Sequence, residues 1–278
     1  MLKESLQREL IEKGRAFTRG YREDDPYMED FVSDQDRKLP QPPLVKPPMT
    51  QGDHIPLTLD FDRLQVKADL LSVIRDRKST RVFTQEDMTL DQLAFLLWAT
   101  QGIKSIRGKA YATLRTVPSG GARHPFETYL LVRKVEGLTP GTYHYLPMEH
   151  TLEFLGAVDD PDKAVDESLS GQIWAAKANV VFYWSMVPYR AEWRYGIYAH
   201  RTALLDAGHL CQNLYLACTG LGLGTCGIAA FEHEACCRLF GLDGEEEYIV
   251  YTAPVGTARE SDRAAEQAFY RFVEEEGL

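Results

Sequence analysis

The chain has 278 residues, of which 44% are apolar, and a formal net charge of −10 from 31 basic and 41 acidic side chains. That is long enough for one large core, and the acidic balance argues against nucleic acid as the main partner while leaving room for a local basic pocket. No apolar run approaches a membrane span, the N-terminus MLKESLQREL mixes both charges, and five cysteines make an odd number, so a cytoplasmic protein with reduced thiols is predicted.

Residues 1–20 show helical periodicity through Leu2, Leu6 and Leu10. The stretch PQPPLVKPPMTQGDHIP, Pro40 to Pro56, carries too many prolines for helix or central strand and reads as an extended connector. Residues 1–60 are therefore assigned to an arm and connector, and 61–278 to one globular domain. DLLSVIRDRKSTRVF begins as a short helix ending near Arg77. MTLDQLAFLLWATQGI carries a capping box, Thr89 with Gln92, before Leu93, Leu96 and Leu97, and closes at Gly102. ETYLLVR, NVVFYWSMV and EYIVYTAPVG are apolar on both faces and predict buried strands, and GTYHYLPMEHTLEFL predicts a hairpin. From Arg201 to Thr219 small and apolar residues recur at three- and four-residue spacing, a helix with Gly220 as its C-cap; EHEACCRLFGL predicts another helix stopped by Gly241, and ESDRAAEQAFYRFVEEE a terminal one. Helices alternate with strands too irregularly for a doubly wound sheet, so an α+β layer structure is expected.

Three stretches could carry chemistry. GLGTCG, residues 222–227, matches the G-x-G-x-x-G text of a dinucleotide loop, but the order here is helix, glycines, extended GIAAF, the reverse of what that loop needs. The glycines are then read as places of close backbone approach. Arg77, Lys78, Ser79 and Arg81 set three cations and a hydroxyl within five residues where a helix gives way to extended chain. That arrangement suits an anion, although on charge alone it reads as a solvated run. Pro118, Ser119, Gly120 and Gly121 form a turn feeding a buried strand, either an ordinary strand entry or a rigid loop able to approach a flat ligand. His233 and Cys236 have a metal-compatible spacing, but without a second pair no metal is expected.

Together, R-x-S-x-R at Arg77, Ser79 and Arg81, the MTLDQLAFLLWATQG helix, PSGGARHPFE and GLGLGTCGIAAF resemble the flavin-dependent nitroreductase superfamily. With VEGLTPGTYHYLPMEHTLEFL and DAGHLCQNLYLACTGLGLGTCG they resemble its SagB-type branch, the thiazoline and oxazoline dehydrogenases, over roughly Leu70 to Gly256. The resemblance implies an α+β nitroreductase-like fold, a mostly antiparallel sheet flanked by helices, and FMN at a homodimer interface. Arg77, Lys78, Ser79 and Arg81 would hold its phosphate, ribityl and pyrimidine end, with Arg81 the cation for the reduced ring. Pro118, Ser119 and Gly120 would come from the other subunit, and backbone at Cys226, Gly227 and Ile228 would lie against the ring. Arg259 and Arg263 are the cations from the C-terminal part that could meet the phosphate.

The chain departs from the resemblance in two places. Many nitroreductases carry Asn where this chain has Ala122. The Lys-Tyr pair of the azoline dehydrogenases corresponds to Arg194 and Tyr195, and a guanidinium, with a pKa above about 12, is no general base, whereas Tyr195 could donate or relay a proton. Three functions follow: an FMN oxidoreductase passing hydride from NAD(P)H to a small acceptor, an azoline dehydrogenase acting on a modified peptide, or a non-catalytic partner-binding subunit.

Overall fold

A computed structural model describes residues 4–19, 31–84 and 86–259, together with the isolated positions 271 and 275. In chain order the elements are α1 (Glu4–Thr18), β1 (Ile55–Pro56), α2 (Leu70–Asp76), α3 (Leu90–Gln101), β2 (Ile103–Arg107), β3 (Ala112–Arg115), β4 (Phe126–Val132), β5 (Gly141–Leu146) and β6 (Thr151–Ala157). They continue with α4 (Pro161–Ser168), β7 (Val180–Met186), α5 (Pro188–Tyr195), α6 (Ala199–Leu221), β8 (Leu223–Thr225), α7 (His233–Phe240) and β9 (Tyr248–Thr257). Of the terminal helix expected from residue 260 only positions 271 and 275 are described, both helical, and Arg263 lies outside the described residues.

Seven strands form one sheet in the order β1-β6-β5-β4-β7-β9-β8, every neighbouring pair antiparallel, and β2 with β3 makes a separate hairpin. β4 and β7 are buried along their whole length because both faces of the sheet are covered. Alternate residues divide between two cores. Leu130, Val132, Phe182, Trp184 and Met186 meet Leu93, Leu96 and Leu97 of α3 and Leu210 and Leu214 of α6. Tyr129, Leu131, Val181 and Tyr183 meet Val165 of α4 and Cys236 and Phe240 of α7. This is the expected α+β layering, and among the described residues no helix is long and apolar enough to cross a membrane.

Two local features differ from the sequence reading. α6 runs through Gly220 and is capped by Gly222, whose φ of +71° is the left-handed geometry that glycine takes without a steric cost. The extended segment expected at GIAAF begins earlier, as β8 within the glycines themselves, and Ile228 adds only a bridge to Thr252.

The proline-rich stretch lies on the sheet. The Lys46 N–H donates to the Glu127 carboxylate (2.9 Å), and the Met49 and Thr50 N–H groups donate to Glu153 (2.8 and 2.9 Å). It covers a buried polar network. His144 stands between Glu153 (2.7 Å, Nδ1) and Glu127 (3.2 Å, Nε2), and Arg190 of α5 pairs with Glu127 at 2.5 Å. Burial opposes charge on His144, but the two carboxylates win and raise its pKa, while Glu127 is held well below the ordinary carboxylate range against its burial by Arg190 and His144. A consequence is that α5 is tied to the centre of the sheet.

Candidate active site

The residues predicted for a site fall into two groups. In the first, α2 ends at Asp76, and the Arg77 N–H closes its last turn on the Val73 carbonyl at 3.0 Å, so the following residues leave the helix in extended form. The Arg77 guanidinium lies 5.4 Å over the ring of Tyr215 on α6. Ser79 Oγ meets the Tyr215 hydroxyl at 3.0 Å, and the Gly227 N–H donates to that same hydroxyl at 2.8 Å. The Thr80 N–H donates to the Thr225 carbonyl at 2.9 Å, locking the cationic stretch to β8, while the Arg81 guanidinium sits 5.7 Å over Trp174. Lys78 is exposed, and the Cys226 and Ile228 side chains turn inward, 3% and 5% exposed, leaving backbone as what that segment presents.

The glycines of this group are used by the chain itself. A Cβ on Gly224 would meet Thr80 Cγ2 at 2.5 Å, and one on Gly227 would collide with the Tyr251 hydroxyl and come within 2.9 Å of Cys211 Sγ. The expectation of close approach holds at Gly224 and Gly227, with protein as the neighbour, and not at Gly222, where a Cβ would meet nothing within 4 Å and the left-handed φ is what calls for glycine. Tyr215, read from sequence only as part of an apolar helix face, is the residue that joins the two stretches. Its spacing on that face next to a glycine-rich turn was the one signal for it. Burial raises its pKa, against hydrogen bonds from Ser79 and Gly227, so it is a neutral hydroxyl at physiological pH.

The second group surrounds the Pro-Ser turn. Ser119 Oγ donates to Asp206 of α6 at 2.6 Å, the Gly120 N–H donates to the same carboxylate at 3.1 Å, and the His124 N–H donates to Ser119 Oγ at 2.9 Å. Pro118 is exposed at the rim. Gly121, Ala122 and His124 have positive φ (+55°, +53° and +45°), which is strained at Ala122 and His124 and free of steric cost at Gly121, and these bonds hold the turn. Arg194 and Tyr195, at the end of α5, press on this turn: a Cβ on Gly121 would lie 2.6 Å from the Tyr195 hydroxyl and 2.8 Å from Arg194 Nε. Arg194 also donates to the Tyr111 hydroxyl at 3.0 Å, at the tip of the β2–β3 hairpin. Arg259 belongs to neither group and is paired with Glu86.

α6 separates the two groups. Asp206 and Tyr215 are nine residues apart on it, about 14 Å of rise and two and a half turns, so they face opposite ways. One chain does not bring all the predicted site residues around one point.

A family model described as the nitroreductase family matches residues 74–257. MJ1384 of Methanocaldococcus jannaschii, which carries the name nitroreductase, is 31% identical over 210 residues, 74% of this chain and 98% of that protein. The trifolitoxin-processing protein TfxB of Rhizobium leguminosarum bv. trifolii is 31% identical over 150 residues, 49% of this chain but only 39% of its own length. A solved nitroreductase structure from Anabaena variabilis matches with a TM-score of 0.59 at 28% identity, covering 69% of this chain and 38% of that one. Since the family match spans β2 to β9, α3, α6 and both loop groups, the chain belongs to the nitroreductase family.

Proposed function

We propose that the protein is an FMN-dependent oxidoreductase that takes hydride from NAD(P)H and passes it to a small acceptor, at a site closed by two copies of the chain. The observation that carries this is the division across α6: each group holds one of the loop types expected around a flavin, on opposite faces of one helix. Antiparallel contact of two chains would bring the Pro118, Ser119 and Gly120 turn of one against Arg77, Ser79 and Gly227 of the other. Leu204 and Leu205 of α6, 50% and 60% exposed, offer apolar surface for that contact.

The residues present fit such a cofactor at its anionic end. Arg77, Lys78 and Arg81 supply charge for a phosphate and for the pyrimidine side, which gains negative charge on reduction, and Arg77 makes no ion pair among the described residues. At the ring end, the Gly227 N–H and Ser79 hydroxyl are held by Tyr215, a rotatable hydroxyl that a ligand atom could replace or share. Bound there, a flavin would supply the hydride-transfer chemistry. The chain's own part is to bind the anion, to set the ring against the backbone of 226–228, and to exclude water.

The test is the visible spectrum of the purified protein, release of FMN on denaturation, and bleaching by NAD(P)H. Arg81→Ala should weaken FMN binding and make reduction harder, and sedimentation should give a dimer. A colourless protein that takes up no added FMN would leave the partner-binding reading, and a flavin-loaded monomer at micromolar concentration would exclude a shared site.

A second reading, a SagB-type azoline dehydrogenase acting on a modified peptide, is favoured by the likeness to TfxB, named for trifolitoxin processing. Arg194 stands against it, since a permanently charged guanidinium cannot take the carbon-bound proton. Bound flavin inert to nicotinamide would support it.

A further inference from the structure

Tyr111 was not among the residues singled out by sequence, yet the fold gathers cations around it. Its hydroxyl accepts from Arg194 NH1 at 3.0 Å and from the Gln35 side-chain amide at 3.3 Å. Beneath the ring, the Arg123 guanidinium lies 5.1 Å from its centroid and is fixed in place, donating from Nε to the Gly121 carbonyl (3.1 Å) and from NH2 to the Tyr111 carbonyl (2.9 Å). Tyr111 thus faces Arg194 from α5, Arg123 from the Pro-Ser turn and Gln35 from the arm, with Tyr195 behind Arg194 at 5.6 Å. Neither guanidinium makes an ion pair among the described residues. His124 adds no charge to balance, because burial and then Arg115 push its pKa down to about 3. Among the described residues the groups that meet the Tyr111 side chain are guanidiniums and an amide donor, and the residue is 38% exposed.

We propose that Tyr111 is the proton donor of the Pro-Ser half-site and that Arg194 is its positioning cation. The proposal rests on the reading of this turn as one wall of a flavin site. An acceptor that receives hydride, with its electron pair, from the NAD(P)H-reduced cofactor needs one more proton to become neutral. The Tyr111 O–H bond breaks, its proton goes to the acceptor, and the electron pair stays on the phenol oxygen against the Arg194 guanidinium. Bulk water returns the proton. The Tyr111 pKa is lowered, by the Gln35 hydrogen bond first, against slight burial, and then by Arg194, in the direction that this role needs. The charge of Arg194, which unfits it as a base, is what makes it useful here. The same placement keeps Tyr195, whose hydroxyl sits on Gly121, in the supporting position.

The experiment uses the full chain, with and without added FMN. Ultraviolet difference titration of wild type against Tyr111→Phe isolates one phenol among the 14 tyrosines. That phenol should ionise below the usual tyrosine value of about 10, and Arg194→Gln should move its ionisation upward while Arg194→Lys retains part of the effect. Turnover of NAD(P)H with a water-soluble quinone should fall on the order of 100-fold in Tyr111→Phe at unchanged flavin content, and its pH profile should lose the limb set by the phenol. Wild-type kcat in a flavin-loaded Tyr111→Phe protein overturns the proposal, as does a phenol whose ionisation ignores Arg194→Gln. If no variant binds flavin, the flavin reading fails and the proton role with it. A bound, reducible flavin with unchanged Tyr111→Phe turnover removes the proton role alone.

Discussion

Glu153→Gln tests the network that fixes α5 and the arm. The Glu153 carboxylate is wholly buried, accepts the Met49 and Thr50 N–H groups on one oxygen, and meets His144 Nδ1 with the other at 2.7 Å. Burial pushes its pKa up, but the His144 bond and then the two backbone N–H groups outweigh that and hold it down to about 2 from an ordinary 4.5. Glutamine keeps the shape but turns an NH2 toward one of these donors and removes the charge facing a buried imidazolium. Removing one member of a buried ion pair costs about 3–5 kcal/mol, and with one acceptor oxygen retained a loss of about 3 kcal/mol at neutral pH is expected. The pH dependence has a definite sign. A depressed carboxyl contributes stability that is present above its unfolded value and lost as pH falls through the folded one, here between 4.5 and about 2. His144 works the other way: its raised pKa gives stability present below the unfolded 6.5 and lost as pH rises through the folded value. Urea unfolding followed by tryptophan fluorescence should therefore show a wild-type to variant gap that narrows by roughly half between neutral pH and about pH 3. An unchanging gap across that range, or one below about 1 kcal/mol at neutral pH, would refute the reasoning.

Three other outcomes are expected. Ala122→Asn should stabilise the protein by about 1 kcal/mol, a few degrees in Tm, because position 122 has φ of +53°, where Asn is tolerated and Ala is strained; a lower Tm would count against this reading of the turn. Tyr215→Phe should destabilise the flavin-free protein by about 1–3 kcal/mol by leaving the Gly227 N–H and Ser79 without their shared hydroxyl, and less when FMN is added; an equal loss in both states would place no ligand there. Native protein should not oxidise an azoline peptide under oxygen, Arg194→Lys should be the variant that gains this activity, and loss of two mass units with the native chain would overturn the base argument.

What could be read from sequence followed period and capping. Thr89 and Gln92 make the capping box, and the apolar strands became β4, β7 and β9 because runs buried on both faces admit few other placements. The cationic stretch and the Pro-Ser turn stood out by residue type, and the structure places them in two separate groups on either side of α6. The polar network was not. Glu127, His144 and Glu153 each read as an isolated polar residue in an apolar strand, and they meet only because β5 and β6 pair His144 with Glu153 while β4 and β5 set Tyr129 beside His144. Register across strands is a property of the assembled sheet. Tyr111 was hidden for a similar reason: its partners come from the arm, the turn and α5, 12 to 83 positions away.

The glycines that spell a nucleotide loop resolve into separate local needs. Gly222 reverses the chain after α6 with a left-handed φ, Gly224 lets Thr80 approach β8, and Gly227 lets the Tyr251 hydroxyl in. None of these needs is a phosphate, so the spacing of the glycines carries no nucleotide in itself. Their functional weight is indirect. The Thr80–Thr225 bond sits between Ser79 and Arg81, so a side chain at 224 would push away the strand that sets the spacing of those two side chains. Gly227, in turn, hands its N–H to Tyr215, which holds Ser79. The cationic stretch is therefore positioned by the glycine-rich segment through backbone contact, and a change at either end should register at the other, although the two motifs are 140 or more residues apart in the chain.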